Sequence, residues 1–163
     1  MYDPASAIKG TQAVFEAHPE NPAVKALADL ATDAKYDRNE LTITIARENI
    51  IAACEAVKQN GYNFLEDVTA VDWYPSEPRF QIVYHILSMS RKERVRLVVR
   101  LDSDEATLDS INSVWPAANF YEREIFDLFG VHFGGHPNLR RIMLPEDWKG
   151  HPLRKDYPVE GYR

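Results

Sequence analysis

Leu41, Ile43 and Ile45 alternate with Thr42 and Thr44, the period-two pattern of a strand with one buried face. Asp37-Arg38-Asn39 just before it predicts a turn out of a short preceding strand. The period then changes. Ile50, Ile51, Cys54 and Val57 recur at i, i+1, i+4 and i+7, one face of a helix over Arg47–Gln59 that Asn60-Gly61 ends. Three strands follow: Phe64–Trp73, Arg79–Leu87 with Phe80, Ile82, Tyr84 and Ile86 on one face, and Arg94–Leu101 with Val95, Leu97, Val99 and Leu101 inward. The tight polar segment Ser88–Glu93 makes the last two an antiparallel hairpin. Ala-rich helices are predicted over Ala5–Ala17 and Ala23–Ala31, the second led by Pro22. Ser103–Ser113 reads as a helix capped by Ser103, and Pro116–Phe129 as another, closed by Gly130. Residues 1–130 thus predict an α+β two-layer domain, helices packed on a small mixed sheet.

The pattern stops at residue 131. Residues 131–163 have no period, yet hold four of the ten prolines and four of the seven glycines. They are also rich in large side chains, among them Phe133, Leu139, Ile142, Met143, Leu144, Trp148, Leu153, Tyr157 and Tyr162. A disordered tail is depleted in such residues, and a long structureless loop is uncommon inside a compact domain. The physical resolution is an extended arm, residues 131–163, that buries its anchors on another surface, where Arg140, Arg141, Arg154 and Lys155 pair with acidic groups. The plainer alternative is that it wraps back over its own domain.

Charge sharpens the division. The chain carries 19 basic and 25 acidic side chains, net −6, but residues 136–163 hold 6 against 4. Net acidity argues against a general nucleic-acid binder. The single cysteine, Cys54, excludes an iron–sulfur cluster and a Cys-rich zinc site in this chain, and fits a reducing compartment. Neither G-x-G-x-x-G nor G-x-x-x-x-G-K-[ST] occurs, so the usual phosphate loops are missing. Ser110–Tyr121, free of Asp, Glu, Lys and Arg, falls far short of the ~20 apolar residues of a membrane span. The N-terminus does not read as a secretory signal.

Candidate chemistry is sparse. In the run Phe120–Phe129, Glu122 shares a helix face with Ile125, Phe126 and Phe129, while Glu124 and Asp127 lie on another. A part-desolvated Glu122 suits a general acid/base, but no nucleophile or metal site converges on it; a buried ion network with Arg123 is the plainer reading. His132 and His136 are four apart, but Gly134-Gly135 and Pro137 speak against a helix there. With His85 and His151 they leave a metal site or hydrogen-bonding structural histidines. Arg94, Arg96 and Arg100 on one strand face suit an anion or, more simply, a solvated face. Cys54, among apolar positions, reads as a buried inert thiol.

Two long runs are similar to a known family. Glu122-Arg123-Glu124-Ile125-Phe126-Asp127-Leu128-Phe129-Gly130-Val131-His132-Phe133-Gly134-Gly135-His136-Pro137-Asn138-Leu139-Arg140-Arg141-Ile142 resembles the signature of the thirty-kilodalton subunit of respiratory complex I, the NADH–quinone oxidoreductase. Trp148-Lys149-Gly150-His151-Pro152-Leu153-Arg154-Lys155-Asp156-Tyr157-Pro158 resembles the C-terminal motif of the same family. The resemblance implies a peripheral subunit on the cytoplasmic side of the cell inner membrane, touching the membrane only through the complex. It implies no catalytic residue, cofactor or metal in this chain; FMN and iron–sulfur clusters sit in partner subunits that carry electrons from NADH to a quinone, coupled to proton translocation. The partners implied are the large quinone-site subunit, of the forty-nine-kilodalton type, and other peripheral-arm subunits. Glu122, Arg123, Glu124, Asp127 and Gly130 would then form a structural and interface network. His136, Pro137, Arg140, Arg141, His151, Pro152, Arg154, Lys155 and Asp156 would meet the partner. Two alternatives stand beside it: the equivalent subunit of a related membrane-bound hydrogenase or other quinone-reducing dehydrogenase, and a stand-alone metal-dependent enzyme.

Overall fold

The structure, a computed structural model, describes residues 7–161. Its centre is a six-stranded mixed sheet of order β1-β2-β3-β6-β5-β4. The strands are β1 (Ile8–Lys9), β2 (Ala31–Asp37), β3 (Glu40–Ile45), β4 (Phe64–Asp72), β5 (Phe80–Ser88) and β6 (Glu93–Leu101). Neighbours are antiparallel except β3 and β6, which run parallel with Ile43 opposite Leu97. The β2–β3 turn places Arg38 and Asn39 at φ 53° and 62°, the left-handed pair of a tight hairpin turn.

Alternation decides which face is buried. Leu41, Ile43 and Ile45 of β3, Ile82, Tyr84 and Ile86 of β5, and Val95, Leu97, Val99 and Leu101 of β6 form the core. The helices α1 (Thr11–Ala17), α2 (Pro22–Leu27), α3 (Ile50–Gln59) and α4 (Ala118–Phe129) contribute Val14, Leu27, Ile50, Cys54, Val57 and Ile125 to it. Cys54 is buried there, and burial pushes its thiol up, beside the charges of Glu122 and Glu55. On the other face Arg96 bonds Thr42 and Glu40, and Arg94 pairs with Glu66, so these two arginines are spent inside the sheet.

Three expected helices change. Residues 5 and 6 of the first lie outside the described residues; the rest is broken by Gly10, at φ 94°, into β1 and α1. The second stops at Leu27. It begins where Asn21 Oδ1 accepts the amides of Ala23 and Val24 (2.9 and 3.3 Å), and Ala31 already starts β2. Ser103–Ser113 is not a helix at all. Thr107–Asp109 forms β7, parallel to β8 (His132–Gly134), and Leu108 and Phe133 bury together at its centre. Ser103 bonds Glu77 through amide and hydroxyl instead of capping anything. Pairing with a distant strand outweighs local helix preference here.

The β7–β8 pair places Val131 and Phe133 in the core. Beyond it, residues 135–161 hold turns but no helix or strand. They run back across the C-terminal end of α4 to the end of β4.

Candidate functional site

The C-terminal end of α4 is where the two motif runs meet. Its last turn leaves carbonyls without intrahelical donors, and residues from the arm occupy them. Asp127 O accepts from Arg141 Nη1 (3.1 Å) and His151 Nδ1 (2.9 Å). Leu128 O accepts the Leu153 amide at 3.1 Å, and Arg154 donates to Phe129 O and Gly130 O at 2.5 and 3.4 Å. Cations at a helix C-terminus also meet the negative end of its dipole. Because a carbonyl only accepts, His151 carries its proton on Nδ1. Burial holds the His151 imidazole below its usual range, the Asp127 carbonyl pulls the other way, and Arg154 and Arg141 add to the lowering. Gly130 is required for this approach. Its φ is 72°, and a Cβ there would stand 2.5 Å from His151 and 2.6 Å from Arg154.

Asp127 itself is the deepest anchor. Its carboxylate is completely buried and accepts Arg141 Nη1 at 2.6 Å on one oxygen. The other oxygen takes the amides of Ile142, Met143 and Leu144 at 2.9, 2.7 and 2.9 Å. Burial alone would raise its pKa; the Leu144 amide, Arg141 and the next two amides outweigh that and hold it below the usual carboxylate range. Arg141 also reaches Trp148 O and Gly150 O, both at 3.0 Å. Arg123 donates to Arg140 O and Arg141 O, both at 3.2 Å.

A second latch lies at the end of β4. Buried Arg79 grips Asp72 with two bonds of 2.9 Å and Asp156 with bonds of 2.6 and 3.0 Å. Asp72 Oδ2 also accepts the Lys155 amide at 2.8 Å. Burial opposes ionisation of Asp72, but Arg79 and the amides of Lys155 and Tyr74 bring it down to about 2. The Arg79 guanidinium lies 4.9 Å from the Tyr74 and Phe80 rings, and that of Arg154 is 5.2 Å from Phe80. Sequence patterning does not pick out Asp72 and Arg79. An Arg beginning an apolar strand is the only local signal, and its partner stands 77 residues away.

The residues singled out in sequence therefore divide. Arg141, His151, Arg154 and Asp156 turn inward onto this chain, whereas the resemblance implies that they meet the partner. The reason is local: α4 ends in carbonyls and a carboxylate that need donors. Glu122 and Asp127 are fully buried, and Glu122 bonds Ser110 and Ile111 rather than Arg123. Glu124, Pro137, Arg140 and Lys155 are exposed, Pro152 half-buried. His132 faces solvent, while His136 bonds Asn119 O and Asn138 N. Among the described residues no group of three or more His, Cys, Asp or Glu is placed to hold a metal, and no helix is long and apolar enough to cross a membrane. A cleft of about 680 Å³ beside Tyr36, Lys92 and Arg94 takes no residue from α4 or the arm.

The matches to known proteins cover both motif runs. Residues 43–163 match the family described as "Respiratory-chain NADH dehydrogenase, 30 Kd subunit", and the chain belongs to this family. The matching NADH-quinone oxidoreductase subunit of Geotalea uraniireducens is 47% identical over 130 residues, 79% of each chain. Its counterpart in Roseiflexus sp. is 41% identical over 137 residues, 82% of this chain and 79% of the relative. Among solved structures, a trypsin-resistant fragment of Nqo5 superposes with a TM-score of 0.58 at 32% identity, over 61% of this chain and 83% of that one. A chain of the membrane-bound sulfane sulfur reductase, an archaeal respiratory membrane complex, superposes with a TM-score of 0.73 at 27% identity, over 83% and 82%.

Proposed function

We propose that the chain is the non-catalytic thirty-kilodalton-type subunit of an NADH–quinone oxidoreductase, and that its arm presents a contact surface to the large quinone-site subunit. The chain holds no cofactor; FMN and iron–sulfur clusters in partner subunits carry electrons from NADH to a quinone, coupled to proton translocation. It sits peripherally, on the cytoplasmic side of the inner membrane. One observation carries this reading: the arm is inverted relative to a folded segment. Arg141 and Arg154 point inward, whereas Met143 is 63% exposed, Leu153 48%, Trp148 42% and Ile142 37%. Large apolar side chains displayed by a well-anchored segment mark a contact surface. The partner contact thus shifts from Arg141, Arg154 and Asp156, which hold the arm, to the apolar residues that the arm displays.

The test is affinity capture of the tagged chain from its host, with subunit identification and an NADH oxidation assay. Recovery with the large subunit and NADH:quinone activity is expected. Recovery of the chain alone overturns the reading. The likeness to a chain of the sulfane sulfur reductase complex favours one second reading, the equivalent subunit of a related respiratory assembly. An intact captured assembly that does not oxidise NADH selects it.

A further inference from the structure

Three segments meet at Glu122. From α4 come its carboxylate and the Asn119 carbonyl, from the turn after β7 come Ser110 and Ile111, and from the turn after β8 comes His136. The carboxylate accepts Ser110 Oγ–H at 2.5 Å on Oε2 and the Ile111 amide at 2.8 Å on Oε1. The His136 side chain, equally buried, donates from Nε2 to Asn119 O at 3.1 Å and accepts the Asn138 amide on Nδ1 at 3.0 Å. An amide only donates and a carbonyl only accepts, so these two bonds define the neutral imidazole with its proton on Nε2. That nitrogen stands 3.9 Å from Glu122 Oε2, beyond hydrogen-bonding distance.

Glu122 is therefore buried without a cation against it. It makes no ion pair with Lys or Arg among the described residues. The titratable groups facing it are Cys54 from α3, Tyr84 from β5 and His136 from the arm root, none of them cationic in this arrangement. The Tyr84 hydroxyl is itself buried and unpartnered. Among the described residues no charged side chain of β4, packed along α4, bonds or pairs with the carboxylate.

We infer that Glu122 and Ser110, packed beside His136, form a proton-operated switch that seats the root of the arm. Ionised Glu122 holds the turn after β7 through two charge-assisted bonds. An added proton on Oε2 points at Ser110 Oγ, which already accepts the Asn112 amide at 3.2 Å, so the Ser110 hydroxyl turns its own hydrogen away. The protonated acid keeps its bond to Ser110, reversed in direction, and sheds its buried charge; ionisation as pH rises restores that charge and loosens the seat between α4 and the segment leaving the β7–β8 pair. Burial pushes the Glu122 carboxyl up to about 7 against the opposing pull of Ser110 and Ile111, which brings the switch to neutral pH.

The linkage sign follows from the raised value. An acid at 4.5 when unfolded and about 7 when folded contributes its full stability below 4.5 and loses it as pH rises through about 7. The test is a carboxyl-detected NMR titration of the purified full chain labelled at Glu. One carboxyl resonance should titrate with a midpoint near 7 and vanish in Glu122→Gln, and the Ile111 and Asn138 amides should shift with the same midpoint. Glu122→Gln, which reproduces the protonated acid, should also remove the loss of urea resistance between about pH 4.5 and 7. Ser110→Ala deletes a donor to the ionised form and should move the midpoint upward; it tests the proposal even if the Gln variant fails to fold. Glutamate carboxyls that all titrate in the ordinary range overturn it, as does an Asn138 amide indifferent to the Glu122 midpoint.

Discussion

In the sheet domain Ile43, Tyr84 and Leu97 are buried in the core, while Arg94 and Arg96 stay on the opposite face. In the arm the order is reversed: Arg141, His151 and Arg154 are turned inward, and Met143, Trp148 and Leu153 lie toward solvent. The domain is held by area removed from water, which is non-directional and spread over many side chains. The arm is held at a few polar points, each demanding distance and angle. The difference teaches that the two regions have separable stabilities. Losing one buried methyl weakens the domain locally, whereas losing one carboxylate frees a whole length of arm.

Asp127→Ala is the strongest way to break the comparison. It strips an acceptor from three amides and from Arg141 at once. Leaving a part-buried guanidinium and amides unpaired costs on the order of 3–5 kcal/mol. Hydrogen exchange should show the amides of 142–144 losing protection while those of β5 and β6 keep theirs. Loss of protection in both regions together would mean that arm and domain are one cooperative unit.

Acid separates them more gently. The folded Asp72 carboxyl lies at about 2 against 3.8 unfolded, and Asp127 and Asp156 are held below their usual range as well. A depressed acid contributes stability above its unfolded pKa and loses it as pH falls through the folded value. The Asp72 latch therefore weakens between 3.8 and about 2, by about 2 kcal/mol in total. Arg79 and Asp156 should let go of the arm's far end in this window, read as rising proteolysis at Lys155 by an acid-active protease. Salt should act in the same direction, more on part-exposed Asp156 than on buried Asp72.

The same contrast explains what can be read from the chain. Strands β3 to β6 and helices α3 and α4 are legible because alternation and the i, i+4 pattern are written in consecutive residues such as Leu41–Ile45 and Ile50–Val57. The segment after Ser103 is not, because β7 exists only through β8, some 25 residues on. Glu122 is recognisable as desolvated from its apolar neighbours on the helix. Asp127 falls on another face of that helix, and it is buried only because the arm lies over it. The direction of the arm stays open in sequence for the same reason: Arg79 and Asp156 are separated by 77 residues and carry no spacing rule.

The smallest expected effect on the fold tests the other half of the comparison. Met143→Ser with Trp148→Ser alters side chains that are 63% and 42% exposed and leaves untouched the Met143 amide and the Trp148 carbonyl, which are what the latch uses. Removing exposed apolar groups away from buried features changes stability by no more than about 0.5 kcal/mol. Denaturation midpoints and protection at 142–144 should match those of the unaltered chain. If the displayed face is a contact surface, the same pair should nonetheless lower recovery of the large subunit in affinity capture at least tenfold, since a fully covered aromatic and its neighbour carry about 2 kcal/mol or more at an interface. Arg140→Ala makes the matching control, because its exposed guanidinium takes no part in holding the arm. An arm whose apolar residues can be replaced without cost to either fold or capture would owe its exposed side chains to something other than a partner. An arm that fails capture with its latches intact separates the two jobs residue by residue: the charges place it, and the apolar side chains are what it is placed to show.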